Sequence, residues 1–127
     1  TYAETNLCKK IINIGVSLPL SAGPVSSGEA VRKSIELADS KYDTNNCVNF
    51  IFEDDQLQPK NTVNIVNSLI GQHKADGFII YGTATSIAAT EITERYKIPT
   101  IALSILDKVV KDKQFVVKHW CTAQRLN

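Results

Sequence analysis

The feature that most constrains this chain is an alternation. Short runs rich in β-branched apolar residues are separated by longer stretches whose apolar residues recur at helical spacing. Residues 11–18 (IINIGVSL), 47–52 (CVNFIF), 75–81 (ADGFIIY) and 98–103 (IPTIAL) read as strands. A fifth, residues 115–120, follows a short charged segment at 107–113. Residues 26–42 read as a helix with Val31, Ile35, Ala38 and Tyr42 on one face. A second helix starts near Pro59 and places Val63, Val66, Leu69, Ile70 and His73 together. A third runs from the GTATS turn at 82–86 to about Tyr96, with Ala88, Ile92 and Tyr96 inward. Two starts carry signals: Ser26 with Glu29 spells a capping box, and Pro59 suits a first helical turn.

Strands alternating with helices predict an α/β fold, a doubly wound parallel sheet with helices on both faces. The 127 residues, 43% apolar and 21% charged, suit a single α/β domain over 1–127 with one core. In such open sheets the ligand edge lies at the carboxyl ends of the strands, near the topological switch point. Four segments meet there: residues 21–24, Asp54 with Asp55, residues 82–86 and residues 104–106.

Charge and composition exclude several classes. Fourteen basic against thirteen acidic residues, net +1, is too balanced for a nucleic-acid binder that works through bulk charge. No apolar run approaches the roughly 18 residues that span a bilayer. The first ten residues are polar, without a basic-then-apolar leader, so an exported protein would already have lost its signal. The three cysteines and two histidines are scattered, without metal-ligand spacing. The dinucleotide and P-loop glycine patterns and the G-x-S-x-G elbow are missing. The expectation is a protein that is not an enzyme and needs no metal or cofactor.

Residues 82–86 (GTATS) are the most chemical stretch. They set three hydroxyls and free backbone amides at a helix start, where unpaired N–H groups and the helix dipole favour an anion such as a carboxylate or phosphate. Thr83, Thr85 and Ser86 are the candidate ligand groups; the plainer reading has Thr85 or Ser86 capping the helix. Residues 53–55 (EDD) could hold Mg²⁺, as in phospho-acceptor receiver domains. Receivers, however, carry the acid pair after the first strand and the acceptor after the third, and here those strands end in LPLS and YGT. The alternative for the acids is a solvated strand end, with Asp55 helping to start the next helix. A cytoplasmic flavodoxin-like or receiver-type signalling domain is thus the second functional reading.

Residues 14–25 (IGVSLPLSAGPV), with Gly28-Glu29 opening a helix, then residues 52–55 (FEDD) followed by Gln58-Pro59, then residues 75–80 (ADGFII) and 98–101 (IPTI), occur in a telling order. Together they resemble type I periplasmic binding proteins, above all the branched-chain amino-acid binders of ABC importers, or extracellular ligand-binding receptors. The resemblance implies one lobe of a two-lobed trap for a small polar ligand, an amino acid or related carboxylate. It also implies a membrane permease as partner and a periplasmic or extracellular location. The chain would be the leading part of the first lobe, a fragment whose crossover to the second lobe falls near residues 120–127. Without the segments that complete that lobe, self-association is expected. Thr83 falls at the family's carboxylate-binding serine and Ser104 near a ligand-binding backbone carbonyl. Leu106 stands where many amino-acid binders have threonine, and Ser21 belongs to the loop after the first strand.

Neighbouring first and second strands bring Cys8 and Cys47 to the same amino-terminal edge, where strands about 4.8 Å apart allow a bridge. An export compartment permits the bond. Buried free thiols are the alternative, and Cys121, at the other edge, is expected to stay free.

Overall fold

The computed structural model describes residues 8–120. In chain order they form β1 (Ile12–Leu18), α1 (Val25–Tyr42), β2 (Val48–Asp54), α2 (Pro59–His73), β3 (Gly77–Tyr81), α3 (Thr83–Arg95), β4 (Thr100–Leu103) and β5 (Val116–Lys118). A single 3-10 turn, Asp107–Val109, lies between the last two strands. All five strands are parallel, in the order β2-β1-β3-β4-β5.

That order explains where the helices go. The chain moves from β1 outward to β2, then crosses back over β1 to β3 and continues to β4. Right-handed connections running in opposite directions lie on opposite faces of a sheet. So α1 stands alone on one face, while α2 and α3 share the other. The packing agrees. Val66 and Leu69 of α2, Phe78 and Ile80 of β3, and Ala89 and Ile92 of α3 form one buried cluster. Ile79, alternating with Phe78 and Ile80, faces the other way and lines a groove with Val31 and Ile35 of α1.

Several local expectations change in three dimensions. The Ser26–Glu29 capping box does not form: Pro24 occupies the cap position and α1 starts at Val25, so Ser26 is already inside the helix. The cap amides are met locally instead, Ser27 and Gly28 N–H donating to the Pro24 carbonyl at 3.0 and 3.1 Å. Gly28 is required there, because a Cβ would stand 2.0 Å from the Pro19 oxygen. Ala38 and Tyr42, expected inward, are exposed, Tyr42 by 76%, because nothing packs on that stretch of α1. Tyr96 and His73 are exposed as well. Ile92 is buried as expected, and it shares the inner face of α3 with Thr85, Ser86, Ala89, Thr90 and Thr93.

At the amino-terminal edge a disulfide joins Cys8 to Cys47, with Cα atoms 5.5 Å apart. The Ile12 N–H donates to the Cys47 carbonyl beside it at 2.8 Å. Asp43 receives the amides of Cys47 and Val48 at 2.7 and 3.0 Å, fixing the entry to β2. Cys121 and nearly all of the expected crossover at 120–127 lie outside the described residues.

Candidate functional site

The carboxyl edge divides into two halves of different character. The half at the ends of β1 and β2 is closed on itself. Asp55 is fully buried, which corrects the expectation of a solvated acid at this strand end. Its carboxylate receives Ser17 Oγ at 2.6 Å, Thr62 Oγ1 at 2.9 Å and the Leu57 amide at 2.8 Å. A buried carboxylate needs such partners, and here they lock β1, β2 and the start of α2 together. Asp54 receives the amides of Leu20 and Gln56 and the hydroxyl of Ser21. The Ser21 bond, above all, holds the Asp54 carboxyl below the usual carboxylate range; burial opposes it, and the amides add to the lowering. Ser21 also accepts from Gln56 Nε2 at 3.2 Å. Ser21, a candidate ligand group by sequence, is therefore a member of the loop's own network. Among the described residues no cluster of His, Cys, Asp or Glu has the makings of a metal site.

The half at the ends of β3 and β4 is open. Gly82 precedes α3 with φ +105°, a conformation that favours glycine; a Cβ would also stand 2.7 Å from Thr85 Oγ1 and 2.8 Å from Leu57 Cδ1. Its own N–H donates to the Leu103 carbonyl at 3.0 Å, tying the α3 start to β4. The first helical acceptor bond is Ser86 N–H to the Gly82 carbonyl. The amides of Thr83, Ala84 and Thr85 thus precede the helical ladder, and no side chain caps them. Thr83 Oγ1 and Ser104 Oγ lie 2.8 Å apart, and Leu106 N–H donates to Ser104 Oγ at 3.2 Å. Leu106 thus acts here through its backbone.

Thr85 and Ser86, also candidates by sequence, turn the other way. Thr85 is 1% exposed and donates to the Tyr81 carbonyl at 2.6 Å; Ser86 is fully buried with its hydroxyl 3.4 Å from the Ile80 carbonyl. Neither hydroxyl caps α3 and neither faces the edge. Helical rotation decides this, since both residues share the inner face with Ala89, Ile92 and Thr93, and Thr83 stands on the outer one.

Thr83 and Ser104 look into a cavity of about 180 Å³ whose other walls include Tyr81, Leu103, Ile105 and Trp120. Trp120 is absent from the sequence-based site. The signal for it was present, because the predicted fifth strand ends there, at the same edge.

The α/β fold of this chain is shared with solved solute-binding proteins. A leucine-binding protein of Thermotoga maritima superposes with TM-score 0.83 and 23% identity, over 88% of this chain and 33% of that one. A branched-chain amino-acid transporter substrate-binding protein of Streptococcus pneumoniae, in complex with isoleucine, gives 0.79 and 17%, over 89% and 34%. An ABC-transporter solute-binding protein of Rhodopseudomonas palustris, in complex with 4-hydroxybenzoate, gives 0.81 and 18%, over 89% and 32%. The chain therefore has the fold of a type I periplasmic binding lobe. It spans about a third of the length of these proteins. No protein-family model matches the sequence, nor does any curated protein.

Proposed function

We propose that this chain is the leading part of one lobe of a solute-binding protein, and that it holds a small carboxylate by binding rather than catalysis. The observation that carries the reading is the open half-site: three uncapped amides at the start of α3 beside the Thr83–Ser104 hydroxyl pair. Such a helix start attracts an anion through its N–H groups and dipole. The matched proteins support the ligand class: one is a leucine-binding protein, and two others are in complex with isoleucine and 4-hydroxybenzoate. On this reading the lobe works outside the cytoplasm, in the periplasm or at the cell surface, and hands its ligand to an ABC-importer permease. The crossover to a second lobe runs from near Trp120, and closure of that lobe completes the site. The Ser21 loop then shapes the rim through Asp54, and Thr85 contributes its amide rather than its hydroxyl. The same reading makes the α1 face of the sheet self-associating in this 127-residue chain.

Amide NMR of the chain titrated with L-isoleucine and with 4-hydroxybenzoate tests the site. The amides from Gly82 to Thr85 should shift saturably with at least one of them, at weak affinity because a single lobe leaves the ligand open to solvent. Thr83→Ala should cost about 1–3 kcal/mol of that binding, the range for a hydrogen bond to a charged group. Shifts confined to residues away from the α3 start would remove the reading.

A further inference from the structure

The chain is nearly neutral overall, at +1, yet its charges are not spread evenly. In a parallel sheet every connection enters its strand at the same edge, here the amino-terminal edge, opposite the half-site. We propose that this edge is a docking surface for an anionic membrane, with lysine and arginine against the lipid headgroups and two exposed tyrosines beside them.

Every strand entry but that of β2 carries basic charge. Lys9 and Lys10 lead into β1, Lys74 into β3, Lys97 into β4, and Lys111 and Lys113 into β5. All but Lys113 are exposed. Among the described residues only Lys10 and Lys113 of these pair with a carboxylate, on Asp76 and Glu91. The acids of the edge are mostly engaged from within. Asp43 receives the amides of Cys47 and Val48, Asp76 receives Lys10 and the Asn13 amide, and Glu94 receives the amides of Gln114 and Phe115. Asp39, beside Asp43, is half-buried, and Asp112 is exposed between two lysines. The acidic run at 53–55 lies at the other edge.

The tyrosines favour a lipid surface over other anions. Tyr42 and Tyr96 close α1 and α3 at this edge, and both are exposed. Lys41 Nζ stands 5.3 Å from the centre of the Tyr42 ring, and the Arg95 guanidinium 5.9 Å from that of Tyr96. An amphipathic ring beside a basic side chain settles at the headgroup level of a bilayer, its apolar body toward the acyl chains and its hydroxyl toward water. A soluble polyanion offers the rings no such layer. No helix among the described residues is long and apolar enough to cross a membrane, so the contact is peripheral.

The backbone shows charge placed against stability. Lys74 and Lys97 follow α2 and α3 with φ +49° and +57°, the left-handed region in which a helix commonly ends on glycine. A side chain there costs stability that glycine does not. A cation at a helix C-terminus also answers the helix dipole, which accounts for part of the choice at these two positions. Lys9, Lys10, Lys111 and Lys113 follow no α-helix directly, and the dipole accounts for none of them. With this edge on the bilayer the carboxyl edge points away from it, and the half-site stays open to solvent.

Flotation of the 127-residue chain with vesicles tests this, using phosphatidylcholine alone and phosphatidylcholine mixed with phosphatidylglycerol. We expect binding to the anionic vesicles only, and its loss at about 1 M salt, where the screening length falls to about 3 Å. Each lysine removed from the edge should weaken binding about fivefold, the worth of one basic residue near an anionic surface. Lys74→Gly with Lys97→Gly should therefore weaken it about twentyfold while holding or raising the unfolding midpoint. Lys9→Gln with Lys111→Gln should weaken it equally, which keeps the test open if glycine disturbs the helix ends. Lys60→Gln with Lys108→Gln, the same change of charge at the carboxyl edge, should leave binding nearly unchanged. Tyr42→Ala with Tyr96→Ala should weaken it at unchanged charge. Trp120, the one tryptophan and at the far edge, should escape quenching by brominated acyl chains. Absent binding, equal binding to neutral vesicles, equal losses from the two edges, indifference to the tyrosines or quenching of Trp120 each overturns the proposal. Retention on heparin without vesicle binding overturns it too, by making the partner a soluble polyanion. None of these variants touches the start of α3, so the carboxylate reading stands or falls separately.

Discussion

The two faces of the sheet are built from the same strands and end in opposite states. On the α2–α3 face Val66, Ile80 and Ala89 are fully buried, and Leu69 and Phe78 are 2% exposed. On the α1 face Ile101 is 39% and Val117 59% exposed, and two open grooves of about 520 and 580 Å³ run along it. The residues are equally apolar, so composition is not the cause. Helix supply is: two helices, α2 and α3, cover one face and a single helix, α1, covers the other. A strand residue is core only if a helix passes over it.

Mutating one residue on each face tests this contrast where the effect is largest. Leu69→Ala should destabilise the chain by about 2–5 kcal/mol, the cost of a buried leucine and its cavity. Ile101→Ala, whose side chain water already reaches, should cost less than about 1 kcal/mol. Urea unfolding of both variants measures the difference, and equal losses would mean that the two faces are equally packed.

A smaller effect concerns association. An exposed apolar face of this extent is expected to draw another copy of the isolated chain. Light scattering should show a mass that rises with concentration. Replacing both Ile101 and Val117 by lysine should return a monomer without lowering the unfolding midpoint. A wild-type chain that stays monomeric at every concentration would show that the open face is inert.

The smallest effect is electrostatic, because each face carries a carboxylate clamp at a helix end. Glu94, in the last turn of α3, receives the amides of Gln114 and Phe115, which hold its carboxyl below the usual range. Asp43, just after α1, is lowered by the amides of Val48 and Cys47. A carboxyl lowered in the folded state adds stability above the unfolded pKa and loses it as pH falls through the folded value. Beside Asp43, however, Asp39 is raised, first by burial and then by its Asp43 neighbour. A raised carboxyl acts in the opposite sense, gaining stability on acidification. Glu94→Gln should therefore flatten the acid limb of the stability curve more than Asp43→Asn does. Thermal melts between the neutral and acid ranges test this, and equal flattening would deny Asp39 its opposing part.

Much of the fold was legible in the chain, and the reason is physical. The β-branched runs at residues 11–18 and 75–81 and the helical spacing of Val66 and Leu69 encode local structure, and alternation of the two leaves few topologies. The half-site was legible in position: GTATS had to open a helix at the carboxyl edge, and Ser104 had to end the neighbouring strand. Its inner workings were not. Thr85 and Ser86 are the same residue types as Thr83 and Ser104, and only helical phase sends them to the carbonyls of Tyr81 and Ile80. Ser26–Glu29 had the right letters for a cap, yet the cap position falls two residues earlier, on Pro24.

The strands, the helices and the parallel sheet were already written in the order of residues, because they follow from short-range sterics and from the period at which apolar residues recur. Three features belong to the tertiary structure instead: Asp55 is an internal clamp rather than a solvated acid, Tyr42 and Tyr96 face water, and Trp120 stands beside Thr83. Each depends on which segments, far apart in the chain, are brought within contact distance, and no local pattern of residues carries that distance.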